Sequence, residues 1–385
     1  IIPTVIKIYY NSIMKNNIET IDGKLLMGPG PTNIDRRIKS ALSREPLSHL
    51  DPDFFSILDN ISSSLRRVFK TNNKVTFAVS GTGSSGMEMA MTNLIEPGDE
   101  VLVLKNGEFG NRMENLAQRL KAKVSVMSTK WGESFEQSLV IEKIKSMPNL
   151  KLVSVVHAET STGVLQEIDL IGKYLKSTDI IFLVDAVTSL TGVNLEVDEW
   201  GIDSCFSGSQ KCLSVPPGLA PITFNEKALL KVKNRKNLNS SWYFDLKMLI
   251  NYWGEERVYH HTAPVNMLFA LNEGLSICLQ EGLEKRFERH KSNSEYFMTL
   301  LKQVGLKSFV DEEKFKALPV LKSVIIPKGM NDKELRSKML INHDIEIGGG
   351  LGPTKGQIWR FGLMGFNSKK EFIDELFRKL ALYIN

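Results

Sequence analysis

The sequence predicts an α/β protein, with a large domain on a mostly parallel sheet and a smaller C-terminal α+β domain. Between about Val75 and Phe224, short apolar runs alternate with helix-like stretches, the pattern of a parallel sheet covered on both faces. From Lys316 onward the order changes to strand, helix, strand, helix. A chain of 385 residues also exceeds one ordinary core and fits a large domain with a smaller one attached.

The N-terminal stretch from Ile1 to Ile13 is apolar and aromatic-rich, and Met14 follows it at the head of Lys15-Asn16-Asn17. It lacks the basic leading region and small-residue cleavage site of an export signal, and it is short of the roughly 20 residues of a membrane span. Met14 is therefore expected to be the native start, with residues 1–13 extraneous inside an N-terminal extension, 1–23. Next comes Met27-Gly28-Pro29-Gly30-Pro31-Thr32, whose alternating Gly and Pro set an extended path suited to an active-site edge.

Strands are expected at 75–79, 101–104, 124–127, 152–157, 180–185, 204–207 and 219–224, mostly continuous apolar runs as in buried strands. Helices at 86–94 and 110–120 lie between them. A basic helical stretch follows Phe224, then the connector Tyr259-His260-His261-Thr262-Ala263-Pro264. One long helical run, about 266–304, should link a large domain, 24–285, to a small one, 286–385. The small domain has expected strands at 320–326 and 357–362 and helices from Asn331 and Lys369. Asn331 precedes Glu334, and Ser368 precedes Glu371, at capping-box spacing.

Composition narrows the function. A hydrophobic share of 42% with 24% charged residues is near the globular average and suggests neither disorder nor a membrane class. Net charge is +5, from 49 basic and 44 acidic residues scattered along the chain, so no nucleic-acid partner is indicated. Cys205, Cys212 and Cys278 are odd in number and lack CxxC spacing. Neither a disulfide framework nor a zinc site is expected, and the setting should be cytoplasmic.

The first chemical signal is Ser80-Gly81-Thr82-Gly83-Ser84-Ser85-Gly86, directly after a strand and opening a helix. It reads formally as GxGxxG, but the acidic residue of a dinucleotide site, roughly 20 positions on, is replaced by Leu104-Lys105-Asn106. Hydroxyls at Ser80, Thr82, Ser84 and Ser85 suit one terminal phosphate ester at a helix N-terminus; a tight structural turn is the plainer alternative.

A second signal is Asp185, ending the apolar run Ile180-Ile181-Phe182-Leu183-Val184. Ligands bind at such strand ends, although a helix cap is as good a reading of Asp185 alone. A third is Lys211 in Ser207-Gly208-Ser209-Gln210-Lys211-Cys212, before Pro216-Pro217-Gly218, a setting unlike the solvated helix face that is the usual place of a lysine. Together these are the parts that pyridoxal-phosphate (PLP) chemistry needs. The lysine forms a Schiff base and serves as general base, the aspartate keeps the pyridinium nitrogen protonated so that the ring accepts electrons, and the loop holds the phosphate.

From about Lys24 to the C-terminus the chain resembles the class V, fold-type I PLP aminotransferases, among them the alanine–glyoxylate/serine–pyruvate group. The resemblance rests on motifs in order: Leu26-Met27-Gly28-Pro29-Gly30-Pro31, Ser80-Gly81-Thr82-Gly83, Glu96-Pro97-Gly98-Asp99, Asn106-Gly107-Glu108-Phe109-Gly110, His157-Ala158-Glu159-Thr160-Ser161-Thr162-Gly163, Val184-Asp185-Ala186-Val187, Ser207-Gly208-Ser209-Gln210-Lys211, Tyr259-His260-His261-Thr262 and Gly349-Gly350-Leu351-Gly352-Pro353.

The resemblance implies Lys211 as Schiff-base lysine, Asp185 as partner of the ring nitrogen and Val187 under the ring. It implies Phe109 stacked on the other face, Thr82, Gly83, Ser84 and Gln210 at the phosphate, and Thr160 near the ring hydroxyl. Tyr259 and Thr262 would reach the phosphate in a neighbouring subunit, which makes the working unit a homodimer with shared sites. Arg360, otherwise one arginine among many, would read the substrate carboxylate, with backbone near Gly28 closing that pocket. Ser84 and Phe109 stand where relatives carry other residues, and Glu108 brings a carboxylate near the lid, which bears on substrate fit more than on reaction class.

The activity implied is ping-pong transamination from alanine or serine to glyoxylate or pyruvate. The alternatives are ureidoglycine with glyoxylate, aminoethylphosphonate with pyruvate, a PLP lyase such as a cysteine desulfurase, and a dinucleotide oxidoreductase.

Overall fold

The computed structural model describes residues 23–384; the expectation for Met14 and residues 1–13 lies outside them. All seven expected central strands form, and they share one sheet. They are β1 (Val75–Ser80), β2 (Glu100–Lys105), β3 (Lys123–Ser128), β4 (Leu150–Val156), β5 (Ile181–Asp185), β6 (Ser204–Phe206) and β7 (Leu219–Phe224). Their order is β1-β7-β6-β5-β4-β2-β3. Only β7 runs against its neighbours; the other pairings are parallel.

The apolar runs are continuous because both faces of the sheet are covered. On one face Leu102, Leu104, Val153, Val155, Phe182 and Val184 pack with α1 (Pro52–Phe69). On the other, Val101, Val103, Leu183 and Phe206 pack with Met87 and Met91 of α2 (Gly83–Leu94). Each such buried side chain contributes roughly 1.5–3 kcal/mol. Local signals set the helix ends. At α1, Asp51 accepts from the Asp53 N–H at 2.8 Å ahead of Pro52 in the first turn, a favourable start.

The single helical run expected at 266–304 is two helices, Val265–Glu281 and Leu283–Gln303. Gly282 separates them at φ 86°, a conformation that glycine adopts without strain.

The C-terminal unit has a three-stranded antiparallel sheet with Ile358–Gly362 between Leu321–Ile325 and Gly348–Gly349. Trp359, Phe361, Phe297 and Phe377 are buried in its core. Its capping boxes are incomplete. Asn331 does accept from the Glu334 N–H at 3.1 Å, but the Glu334 carboxylate pairs with Lys338 at 2.7 Å. The Ser368 hydroxyl accepts from Asn293 Nδ2 at 3.1 Å.

The chain also enters through this unit. Leu25–Leu26 pairs in parallel with Ile345–Glu346, and Met27 is buried in the same core. The Gly-Pro segment then crosses to the strand ends of the large sheet. Among the described residues no helix is long and apolar enough to cross a membrane, and no cluster of His, Cys, Asp or Glu could hold a metal ion.

Candidate active site

Parallel strands deliver their C-terminal ends to one edge of the sheet, and the loops there line a crevice. β5 brings Asp185 to that edge, and the loop after β6 brings Lys211. The Lys211 side chain is mostly buried, and its amine donates to the Pro29 carbonyl oxygen. Gly30 makes the approach feasible, since a Cβ there would stand 2.9 Å from Lys211 Cδ. Burial, helped by the charge of Arg360, pushes the amine down to about 8.

Asp185 is also buried. Its Oδ1 accepts from the Val187 N–H at 2.8 Å, while its Oδ2 is buried with no hydrogen-bond partner. Burial raises the carboxyl to about 7 despite the Val187 hydrogen bond, and the nearby Glu159 charge adds to the rise. A buried acceptor without a donor is costly, and a ring N–H would supply the donor.

The glycine loop follows β1. Thr82 is the N-cap of α2, and Gly83 lies so close to Val187 that a Cβ would stand 2.8 Å from Val187 Cγ2. Gly208 packs on the same Val187. The side chains of Thr82 and Ser84 are exposed at a helix N-terminus, where N–H groups favour an anion. Gln210 turns Oε1 toward Gly208 with no partner for that atom. Ser80 at the end of β1 contacts His261 Nε2 at 3.1 Å.

Arg360 comes from the C-terminal unit. It is buried, its Nε donates to the Gly349 carbonyl at 2.7 Å and its Nη1 to the Thr160 carbonyl at 3.1 Å. Burial lowers its pKa to about 10. Two carbonyls thus aim a guanidinium that forms no salt bridge within 4 Å among the described residues. Gly28 lies against this region, its N–H donating to Glu346 Oε2 at 2.9 Å.

Phe109 sits in the first turn of α3 (Glu108–Arg119), with Arg112 4.7 Å over its ring. Lys211, Asp185, Val187, Gly83, Gln210, Thr160 and Arg360 thus fall around one crevice. Tyr259 and Thr262 lie on the connector whose His261 contacts Ser80. Both are exposed, and Tyr259 contacts His49 at a ring separation of 5.2 Å.

Two buried residues of the segment 157–163 had no role assigned from the sequence. Glu159 is fully buried and near enough to Asp185 to influence it; it lies just past the end of β4, the same strand-end signal that singled out Asp185. His157, whose N–H donates to the Asp185 carbonyl at 3.0 Å, is held neutral by burial, its pKa near 4.

An amine that gives up its proton easily, a carboxylate oxygen short of a donor, a helix N-terminus and an unpaired guanidinium are the fittings of a PLP site. The class-V aminotransferase family model matches residues 36–372. The chain belongs to the class-V aminotransferases.

An alanine–glyoxylate aminotransferase from Nostoc sp. superposes with a TM-score of 0.92 at 42% identity, covering 95% of this chain and 96% of that one. The alanine–glyoxylate aminotransferase of Rattus norvegicus is 40% identical over 93% of this chain and 86% of its own length. The (S)-ureidoglycine–glyoxylate transaminase of Bacillus subtilis is 37% identical over 90% and 87%. The shared fold is PLP fold type I, and the family is generally PLP-dependent.

Proposed function

We propose that this class-V aminotransferase uses PLP to move an amino group from a small amino acid, alanine or serine, to glyoxylate or pyruvate. The observation that carries the cofactor reading is Asp185 Oδ2, a buried acceptor with no partner at the strand end beside Lys211. The donor and acceptor reading is supported by the alanine–glyoxylate relatives.

Lys211 would hold the cofactor through its amine, Asp185 its ring nitrogen, Val187 and Phe109 its two faces, and the Thr82–Ser84 turn with Gln210 its phosphate. When bound, the cofactor supplies an electron sink for the charge left on the substrate carbon. Arg360 binds the substrate carboxylate and fixes Cα toward Lys211. The Lys211 amine takes the Cα proton and returns it, a role suited to a group titrating near 8. Thr160 and Gly349 keep the guanidinium aimed through their carbonyls. The exposed Tyr259 and Thr262 would complete the phosphate site of a second subunit, which makes the proposed unit a homodimer.

The ureidoglycine relative supports a second donor. Desulfurase chemistry needs a mobile nucleophilic cysteine, whereas Cys278 is fully buried inside the Val265–Glu281 helix. A donor panel with glyoxylate and with pyruvate tests the reading. Alanine or serine should give the highest kcat/KM with glyoxylate; a preference for ureidoglycine, or turnover with neither acceptor, would replace it.

A further inference from the structure

Gly107 stands at the N-cap of α3 and has no side chain to cap it. Its first N–H groups, left without intrahelical partners, are met from outside the helix. The Phe109 N–H donates to Glu159 Oε2 at 3.1 Å, and the Glu108 N–H donates to Ser161 Oγ at 2.9 Å. Glu159 holds Ser161 in turn, its Oε1 accepting from the Ser161 N–H at 3.0 Å and hydroxyl at 2.7 Å. A Cβ at Gly107 would overlap the Glu159 side chain, so the glycine is what allows the carboxylate in.

We propose that Glu159 is a positioning residue of the active site: with Ser161 it caps the lid helix α3 from another segment of the chain, and so seats Phe109 over the cofactor face. A carboxylate at a partly buried helix N-terminus is favourable, and here it bonds to the main chain of the stacking residue itself. Arg112, one turn on, steadies the ring from the helix side. Phe109 is thus fixed at its backbone by Glu159 and at its ring by Arg112.

This inference rests on the stacking role proposed for Phe109, and a double-mutant cycle separates the two. Glu159→Gln keeps volume and an oxygen for Ser161 but turns an NH2 toward the Phe109 N–H, setting donor against donor. PLP dissociation constants, and kcat and KM for alanine with glyoxylate, are measured for the wild type, Glu159→Gln, Phe109→Leu and the pair. Each single change should weaken PLP binding about tenfold, since each removes a buried contact. The double variant should be no weaker than Phe109→Leu, because Glu159 acts through that ring.

Multiplying factors, or wild-type affinity in Glu159→Gln, would overturn the proposal. A silent Phe109→Leu would overturn the stacking reading along with it. Should Glu159→Gln not fold, the same cycle with Ser161→Ala decides, because it removes the second cap without removing the buried charge.

Discussion

The amine of Lys211 donates to the main-chain carbonyl of Pro29, a residue 182 positions earlier in the chain. Pro29 lies on the segment that enters through the C-terminal unit, so residues from both ends of the chain meet at the proposed Schiff-base lysine. Burial there, with Arg360 nearby, brings the amine down to about 8 from 10.5. Only the neutral amine attacks an aldehyde. The rate of PLP capture by cofactor-free protein, followed by stopped-flow absorbance, should rise with pH through about 8 and level off above it. A midpoint above 10 would mean an ordinary lysine.

Asp185 has the opposite imbalance. Burial raises its carboxyl from 3.8 to about 7, so its contribution to folded stability is full below about pH 4 and is lost as pH rises through 7. Asp185→Asn should therefore stabilise cofactor-free protein at pH 8 by on the order of 2–4 kcal/mol, with the gain vanishing near pH 4. It should weaken PLP binding at the same time. Thermal melts at the two pH values, with a PLP titration, check both halves; a variant less stable at pH 8 contradicts the account.

Arg360 reaches the pocket on two carbonyl hydrogen bonds. Arg360→Lys loses the planar fork and should raise KM for alanine roughly 10–100-fold, the size of a lost charged hydrogen bond, with a smaller change in kcat. Steady-state kinetics with saturating glyoxylate measures it. An unchanged KM would move the carboxylate site elsewhere.

Much of the sheet was legible because strands covered on both faces are dominated by apolar runs, as residues 181–184 and 219–222 are. Asp185 was legible because it breaks such a run at a strand end, and Lys211 because it stands in a small-residue turn five positions past β6. Long-range pairing was not. Nothing local in Leu25–Leu26 points to Ile345–Glu346, and the capping of α3 by Glu159 depends on a contact across 50 positions. Gly282 lies inside a run of good helix formers, and its break shows only in its positive φ.

Tyr259 and Thr262 carry the proposal of shared sites. Lys211→Ala subunits mixed with subunits carrying Tyr259→Ala and Thr262→Ala should form hybrids in which one site of two has every residue intact. The refolded mixture should exceed the activity of either parent. Activity no greater than the average of the parents would place each site within one chain.

The most direct measurement is the visible absorbance of PLP-loaded protein before and after alanine is added without an acceptor, in the wild type and in Lys211→Ala. The wild type should show a visible band of the cofactor held on Lys211 and lose it on adding alanine. Lys211→Ala should show no protein-linked band and no turnover. Retained turnover in Lys211→Ala, or a wild-type band indifferent to alanine, would contradict the account.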